Sequence, residues 1–98
     1  MSLSNNQIRH LRSLAHHLKP VVRVGQHGIR DSVLEEVNIA LDAHELIKVK
    51  LVAEKAERTA MIEAITAATE SVLVQHIGQI AVLFRRNEKK PKVVLPSQ

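Results

Sequence analysis

The chain has 98 residues, enough for one domain and too few for two. It contains no cysteine, which excludes disulfides, iron–sulfur clusters, thiolate zinc sites and cysteine nucleophiles, and one aromatic residue, Phe84, which argues against reading nucleobases on aromatic platforms. The net charge of +4 is segregated, with +5 over residues 1–30, −5 over residues 31–78 and +4 over residues 79–98, a pattern that fits one basic face for a polyanion and one solvated acidic face.

Taken in chain order, Ser4 caps a first helix reaching Leu18, with Ile8, Leu11, Ala15 and Leu18 on one face and Pro20 as its stop. Val21 to Val24 is a short strand, and Gly25 to Gly28 a loop. Ser32 with Glu35 matches a capping box that opens a second helix, striped by Val33, Val37, Ala40 and Leu41 and ending near His44. Glu45 to Ala53 alternates Ile47, Val49 and Leu51 against Lys48 and Lys50, as a half-buried strand does. Ala56 to Glu70 is a third helix, with Met61, Ile62, Ile65 and Ala68 inward. Ser71 to Asn87 reads as two strands reversing at Gly78. Residues 88–98 are charged and carry two prolines, so they are expected as a basic, loosely ordered tail to a single domain over residues 1–87.

The resulting order is α-β-α-β-α-β-β. The strand–helix–strand units favour parallel pairing, and the last two strands favour an antiparallel hairpin. The expected fold is α/β, a mixed four-stranded sheet with its helices mainly on one face. If Val22 and Val24 face the core, Arg23 faces away; the same parity sends Lys48 and Lys50 away from Ile47, Val49 and Leu51, and Arg85 away from Ile80, Val82 and Phe84. Three strands would then place cations on an open sheet surface. Edge strands also carry lysine to block aggregation, which accounts for one strand more easily than for three.

The loop Gly25-Gln26-His27-Gly28 suits a phosphate. Glycines allow positive φ and let backbone N–H groups approach closely, and the helix that follows presents its own free N–H groups. Arg23, His27 and Arg30 could add charge, with Lys19 nearby in sequence. On its own the spacing is also what a plain strand-to-helix turn requires. There is no Gly-x-Gly-x-x-Gly and no Gly-Lys-Ser/Thr of a nucleotide site. KH domains clamp a nucleic-acid backbone with such a loop, but theirs joins two helices.

Three stretches together carry a resemblance: "LKPVVRVGQHGI" (residues 18–29), "HELIKVKL" (44–51) and "VQHIGQIAVLFR" (74–85). The chain resembles the CRM domain (chloroplast RNA splicing and ribosome maturation), in the form of the stand-alone bacterial YhbY-type RNA-binding proteins, from about Leu3 to Arg86. The resemblance implies a fold similar to the C-terminal domain of bacterial translation initiation factor three. It implies RNA binding through the Gly-x-x-Gly loop and adjacent basic surface, and association with precursors of the large ribosomal subunit. Carried over by position, Gly25 and Gly28 are the loop glycines, with Gln26 and His27 as the variable pair. Arg23, Arg30, Lys19, Lys48, Lys50, Arg85 and Arg86 complete the expected RNA-binding set. The chain departs from the pattern at Gln26, where the family often has a cation, and at Phe84, where it often has tyrosine.

Six histidines include no i, i+4 pair, and no cysteine or dense carboxylate cluster completes a ligand set, so no metal or other cofactor is expected. No serine lies in Gly-x-Ser-x-Gly, and no catalytic residues or small-molecule substrate are expected. No apolar run approaches the ~18 residues that cross a bilayer. The opening residues lack a signal pattern, and the expectation is a cytoplasmic, monomeric RNA-binding protein acting on ribosomal RNA or a large-subunit precursor. The alternative is a protein-interaction adaptor using the basic face or adding the tail "PKVVLP" (91–96) as a strand to a partner.

Overall fold

A computed structural model describes residues 2–98 of the chain. The elements are α1 (Asn5–Ala15), β1 (Pro20–Val24), α2 (Asp31–His44), β2 (Leu46–Leu51), α3 (Lys55–Thr69), β3 (Val72–Ile77) and β4 (Ile80–Phe84). The expected order holds, as does the mixed four-stranded sheet. Its spatial order is β1-β2-β4-β3, with β1 parallel to β2 and β4 antiparallel to both of its neighbours.

Local chemistry sets the boundaries. Ser4 caps α1 in a full capping box: its hydroxyl accepts from the Gln7 N–H at 3.1 Å, and the Gln7 side chain accepts from the Ser4 N–H at 2.9 Å. The helix ends at Ala15 rather than Leu18. The expected capping box at Ser32 does not form. Arg30 is the N-cap, extended at φ −105° and ψ 165°, and α2 begins at Asp31 with no side-chain cap, so Ser32 already lies inside the first turn. In α3, Ile62 and Ile65 are buried as expected, but Thr69 takes the inward place assigned to Ala68, which is exposed.

α2 and α3 cover one face of the sheet and α1 covers part of the other, so the face expected to be open is partly closed. Val22, Val24, Ile47, Val49, Leu51, Ala81 and Leu83 pack with Val37 and Leu41 of α2 and Ile62 and Ile65 of α3. On the other face, Leu46, Val74, Val82 and Phe84 pack against Leu11 and Ala15 of α1. β4 therefore buries alternate residues in two different cores. The parity inferred for it is reversed: Ile80, Val82 and Phe84 point away from α2 and α3. Arg85, next in the alternation, falls on the α2/α3 side.

The tail also departs from expectation. It forms no helix or strand, yet Val93 and Leu95 pack against the α1 core and the Gln7 side chain donates to the Pro96 carbonyl at 2.9 Å. Its anchor is Glu45, which is 0% exposed. The Glu45 carboxylate accepts from the backbone N–H groups of Asn87 (2.6 Å), Lys92 (2.6 Å) and Val93 (2.7 Å) and from Arg86 Nη1 (3.1 Å to each oxygen). Glu45 holds φ at +63°, a strained conformation for a residue with a side chain. Burial opposes its ionisation, but the three N–H groups and the Arg86 charge outweigh burial and hold the carboxyl below its ordinary value.

A carboxyl with a lowered native pKa contributes stability that is fully present above its ordinary value and is lost as pH falls through the lowered one. Resistance of the wild type to urea should therefore fall below about pH 4.5, and a Glu45→Gln variant should show a flatter acid profile. At neutral pH, Glu45→Ala should cost about 3 kcal/mol, because it leaves Arg86 without its partner, and should make the tail accessible to protease.

Candidate nucleic-acid interface

The Gly25–Gly28 loop follows β1 directly. The Gly28 N–H donates to the Gly25 carbonyl at 3.1 Å, closing a tight turn with Gln26 and His27 exposed at its tip. Gly28 has φ +72°, where a side chain is disfavoured. The Val52 N–H donates to the Val24 carbonyl at 2.9 Å, and the Leu51 N–H to the Gln79 carbonyl at 2.7 Å. The loop, the end of β2 and the β3–β4 reversal thus meet at one end of the sheet. Arg30 is exposed on the far side of the loop, at the start of α2.

Arg23 and Lys50 are register partners, and Lys50 in turn faces Ile80 on β4. Lys48 faces Val82. All three cations project on the α1 side of the sheet, since their neighbours Val22, Val24, Ile47, Val49 and Leu51 face the other core. Leu46 packs in the α1 core, whereas Arg23 is exposed and Lys48 and Lys50 are half-buried, so the basic surface is one end of that face rather than a whole face. Among the described residues, Arg23, Arg30, Lys48 and Lys50 make no ion pair, leaving their charge available to an anion.

Other expected cations are elsewhere. Lys19 precedes β1 and is exposed at the opposite end of the strand, on the rim of an apolar groove of about 480 Å³ that includes Leu14, Leu18 and Val93. Arg85 is on the α2/α3 face. It donates to Asn38 Oδ1 (2.7 Å), the Thr69 carbonyl (2.8 Å) and Asp42 Oδ1 (2.8 Å), tying α2 to the end of α3. Arg86 is bound to Glu45 and to the Val93 carbonyl at 2.9 Å, and sits over the Phe84 ring at 5.5 Å. Both arginines hold the fold together and lie outside the basic cluster.

A second feature of this end was not read from the sequence. His16, Lys48, Gln75, Ile77 and Ile80 line a cleft of about 200 Å³ floored by Val82. A bulge between Leu73 and Gln75 shifts the register of β3. Val74 and Gln75 therefore share a face, and no glycine or proline in β3 signals it. Among the described residues no metal-binding cluster of histidine and acidic side chains occurs, and no helix is long and apolar enough to cross a membrane.

Residues 3–85 match the model of the CRS1/YhbY (CRM) domain. The chain belongs to that family. It is 44% identical over 93 residues to a probable RNA-binding protein of Pseudomonas aeruginosa, covering 94% of this chain and 89% of the relative. It is 45% identical over 96 residues to an RNA-binding protein of Haemophilus influenzae, covering 97% and 96%. The fold of this CRM domain superposes with a TM-score of 0.83 on a Staphylococcus aureus protein solved in solution and described as a candidate RNA binder. That protein is 33% identical, with 97% of this chain and 100% of that one covered.

The two loop glycines should differ on substitution. A Cβ at either position meets nothing within 4 Å, but only Gly28 has positive φ. Gly28→Ala should cost about 1 kcal/mol in a urea melt, whereas Gly25→Ala should stay within about 0.5 kcal/mol of wild type.

Proposed function

We propose that this CRM domain binds RNA, with the Gly25–Gly28 loop presenting backbone N–H groups to phosphates and Arg23, Lys48 and Lys50 neutralising the adjacent strand. The observation that carries this reading is the cluster of cations without acidic partners beside an exposed Gly-x-x-Gly turn. Its relatives in Pseudomonas aeruginosa and Haemophilus influenzae, a probable RNA-binding protein and an RNA-binding protein, support it. A backbone clamp needs no stacking platform, which suits a chain whose single aromatic, Phe84, is fully buried. Arg30 extends the cationic surface past the loop. The RNA we assign is ribosomal, in a large-subunit precursor, and the role is assembly by binding, with no reaction catalysed. That assignment follows from the CRM resemblance of the three sequence stretches.

The adaptor reading keeps one observation in its favour, the apolar groove beside α1, whose lining includes His17, Lys19, His44 and Lys92 and no acid. Its other element, strand addition by the tail, conflicts with the packing of Val93 and Leu95 against the α1 core.

Binding to a structured RNA should be salt-dependent, with log K falling by about 0.7 to 0.9 per log unit of salt for each phosphate neutralised. Arg23→Ala and Lys50→Ala should each lower that slope by about one contact's worth. Arg85→Ala should leave the slope unchanged and reduce thermal stability instead. Unchanged slopes in both of the first two variants would remove the basic strip from the interface. In lysate gradients, co-sedimentation with large-subunit precursors that is lost on ribonuclease treatment is the outcome expected of an assembly factor. A ribonuclease-resistant complex would favour the adaptor.

A further inference from the structure

We propose that the cleft beside the basic strip is a subsite for one unpaired nucleobase, with the Gln75 carboxamide reading the base edge. The inference rests on the RNA-binding reading above and adds to it a place where RNA is distinguished by more than its charge.

Three observations converge on the cleft. The first is its chemistry. A nucleobase has two apolar faces and a polar edge, and the cleft offers Ile77, Ile80 and Val82 for the faces and Gln75, Lys48 and His16 for the edge and its phosphate. Ile77 is 64% exposed, a large apolar side chain in the same cleft as Lys48. The Gln75 carboxamide, with one acceptor and two donors, takes part in none of the side-chain hydrogen bonds among the described residues. A glutamine so disposed can engage a base edge with two hydrogen bonds.

The second observation is the bulge. Val72 faces Phe84 across the ladder, so strict alternation would send Val74 to the α1 side and Gln75 and Ile77 to the α3 side. The shift between Leu73 and Gln75 instead pairs Gln75 with Val82 and Ile77 with Ile80, both on the α1 side. Bulges commonly re-aim side chains next to functional sites. Here the bulge keeps Val74 in the core and delivers the next polar residue to the cleft.

The third is position. Ile80 faces Lys50, and Lys50 faces Arg23. The base slot and the outer cation are therefore two strand spacings apart, about 10 Å, along one continuous surface. A strand of RNA held by Arg23 and Lys50 passes directly over the cleft.

The test compares short single-stranded RNAs of adenine or uracil with a ribose-phosphate strand of the same length and charge that lacks bases, by fluorescence anisotropy. The wild type should bind at least one base-bearing strand about tenfold more tightly than the abasic one. Gln75→Ala and Ile77→Ser, both at solvent-accessible positions, should each erase most of that preference while leaving abasic binding and its salt slope unchanged. Equal binding of all strands by the wild type, with Arg23→Ala still weakening each, would overturn the subsite and leave the basic strip standing. A preference that survives both cleft variants would place base recognition elsewhere and equally overturn it. Loss of all salt-dependent RNA binding would remove the RNA-binding reading and this inference together.

Discussion

β4 must be buried on both faces at once, and much of the molecule is arranged to meet that demand. Its residues Ala81 to Phe84 are all buried, alternating between the core under α2 and α3 and the core under α1. A strand of this kind cannot sit at a sheet edge, and the chain places it second from one side by skipping a position between β2 and β3. The α2/α3 layer is broad enough to cover its face completely. The α1 layer is not: a helix of 11 residues is about 16 Å long. The part of the sheet it leaves uncovered lies toward the Gly-x-x-Gly loop, where the outward residues of β1 and β2 are Arg23, Lys48 and Lys50. The basic surface is what remains when a short helix seals the apolar half of a two-sided sheet.

The distinction between cations that bind outward and cations that hold the fold follows from the same geometry. Arg23, Lys48 and Lys50 project from strands whose other face is apolar, and among the described residues none has an acidic partner within reach. Arg85 and Arg86 follow a strand already buried on both sides, so each meets protein. One meets the carbonyls and carboxylate at the ends of α2 and α3, and the other meets Glu45. A guanidinium has donors in several directions, and here both are used as struts between elements distant in sequence.

How much of this is legible in the sequence depends on whether the responsible signal is local. Period-two alternation reads β1 and β2 correctly, because Val22/Arg23/Val24 and Ile47/Lys48/Val49/Lys50 carry polar residues on one side only. It fails on β4, where Ile-Ala-Val-Leu-Phe is apolar at every position and offers no phase, and the misassignment of Arg85 follows from that. The loop glycines are legible because Gly-x-x-Gly is a local pattern, and Gly28 does adopt the positive φ that the pattern allows. The β3 bulge is invisible, since Val-Leu-Val-Gln-His-Ile is a regular strand sequence and the shift is imposed by pairing with β4. The tail is misread for a different reason. Its prolines and lysines suggest disorder, while the group that orders it is a carboxylate up to 48 residues earlier in the chain.

That separation has a consequence for how the chain is made. Residues leave a ribosome in order, amino end first. Glu45, the sheet and all three helices can emerge before Lys92 and Val93, which supply two of the three N–H groups that ring the carboxylate. Until those residues are released, Glu45 has water in place of those partners, and the α1 core lacks Val93 and Leu95 along its side. Closure of the molecule therefore waits on residues 92–95: a nascent chain that has not yet released them would have every element of secondary structure and still be unfinished.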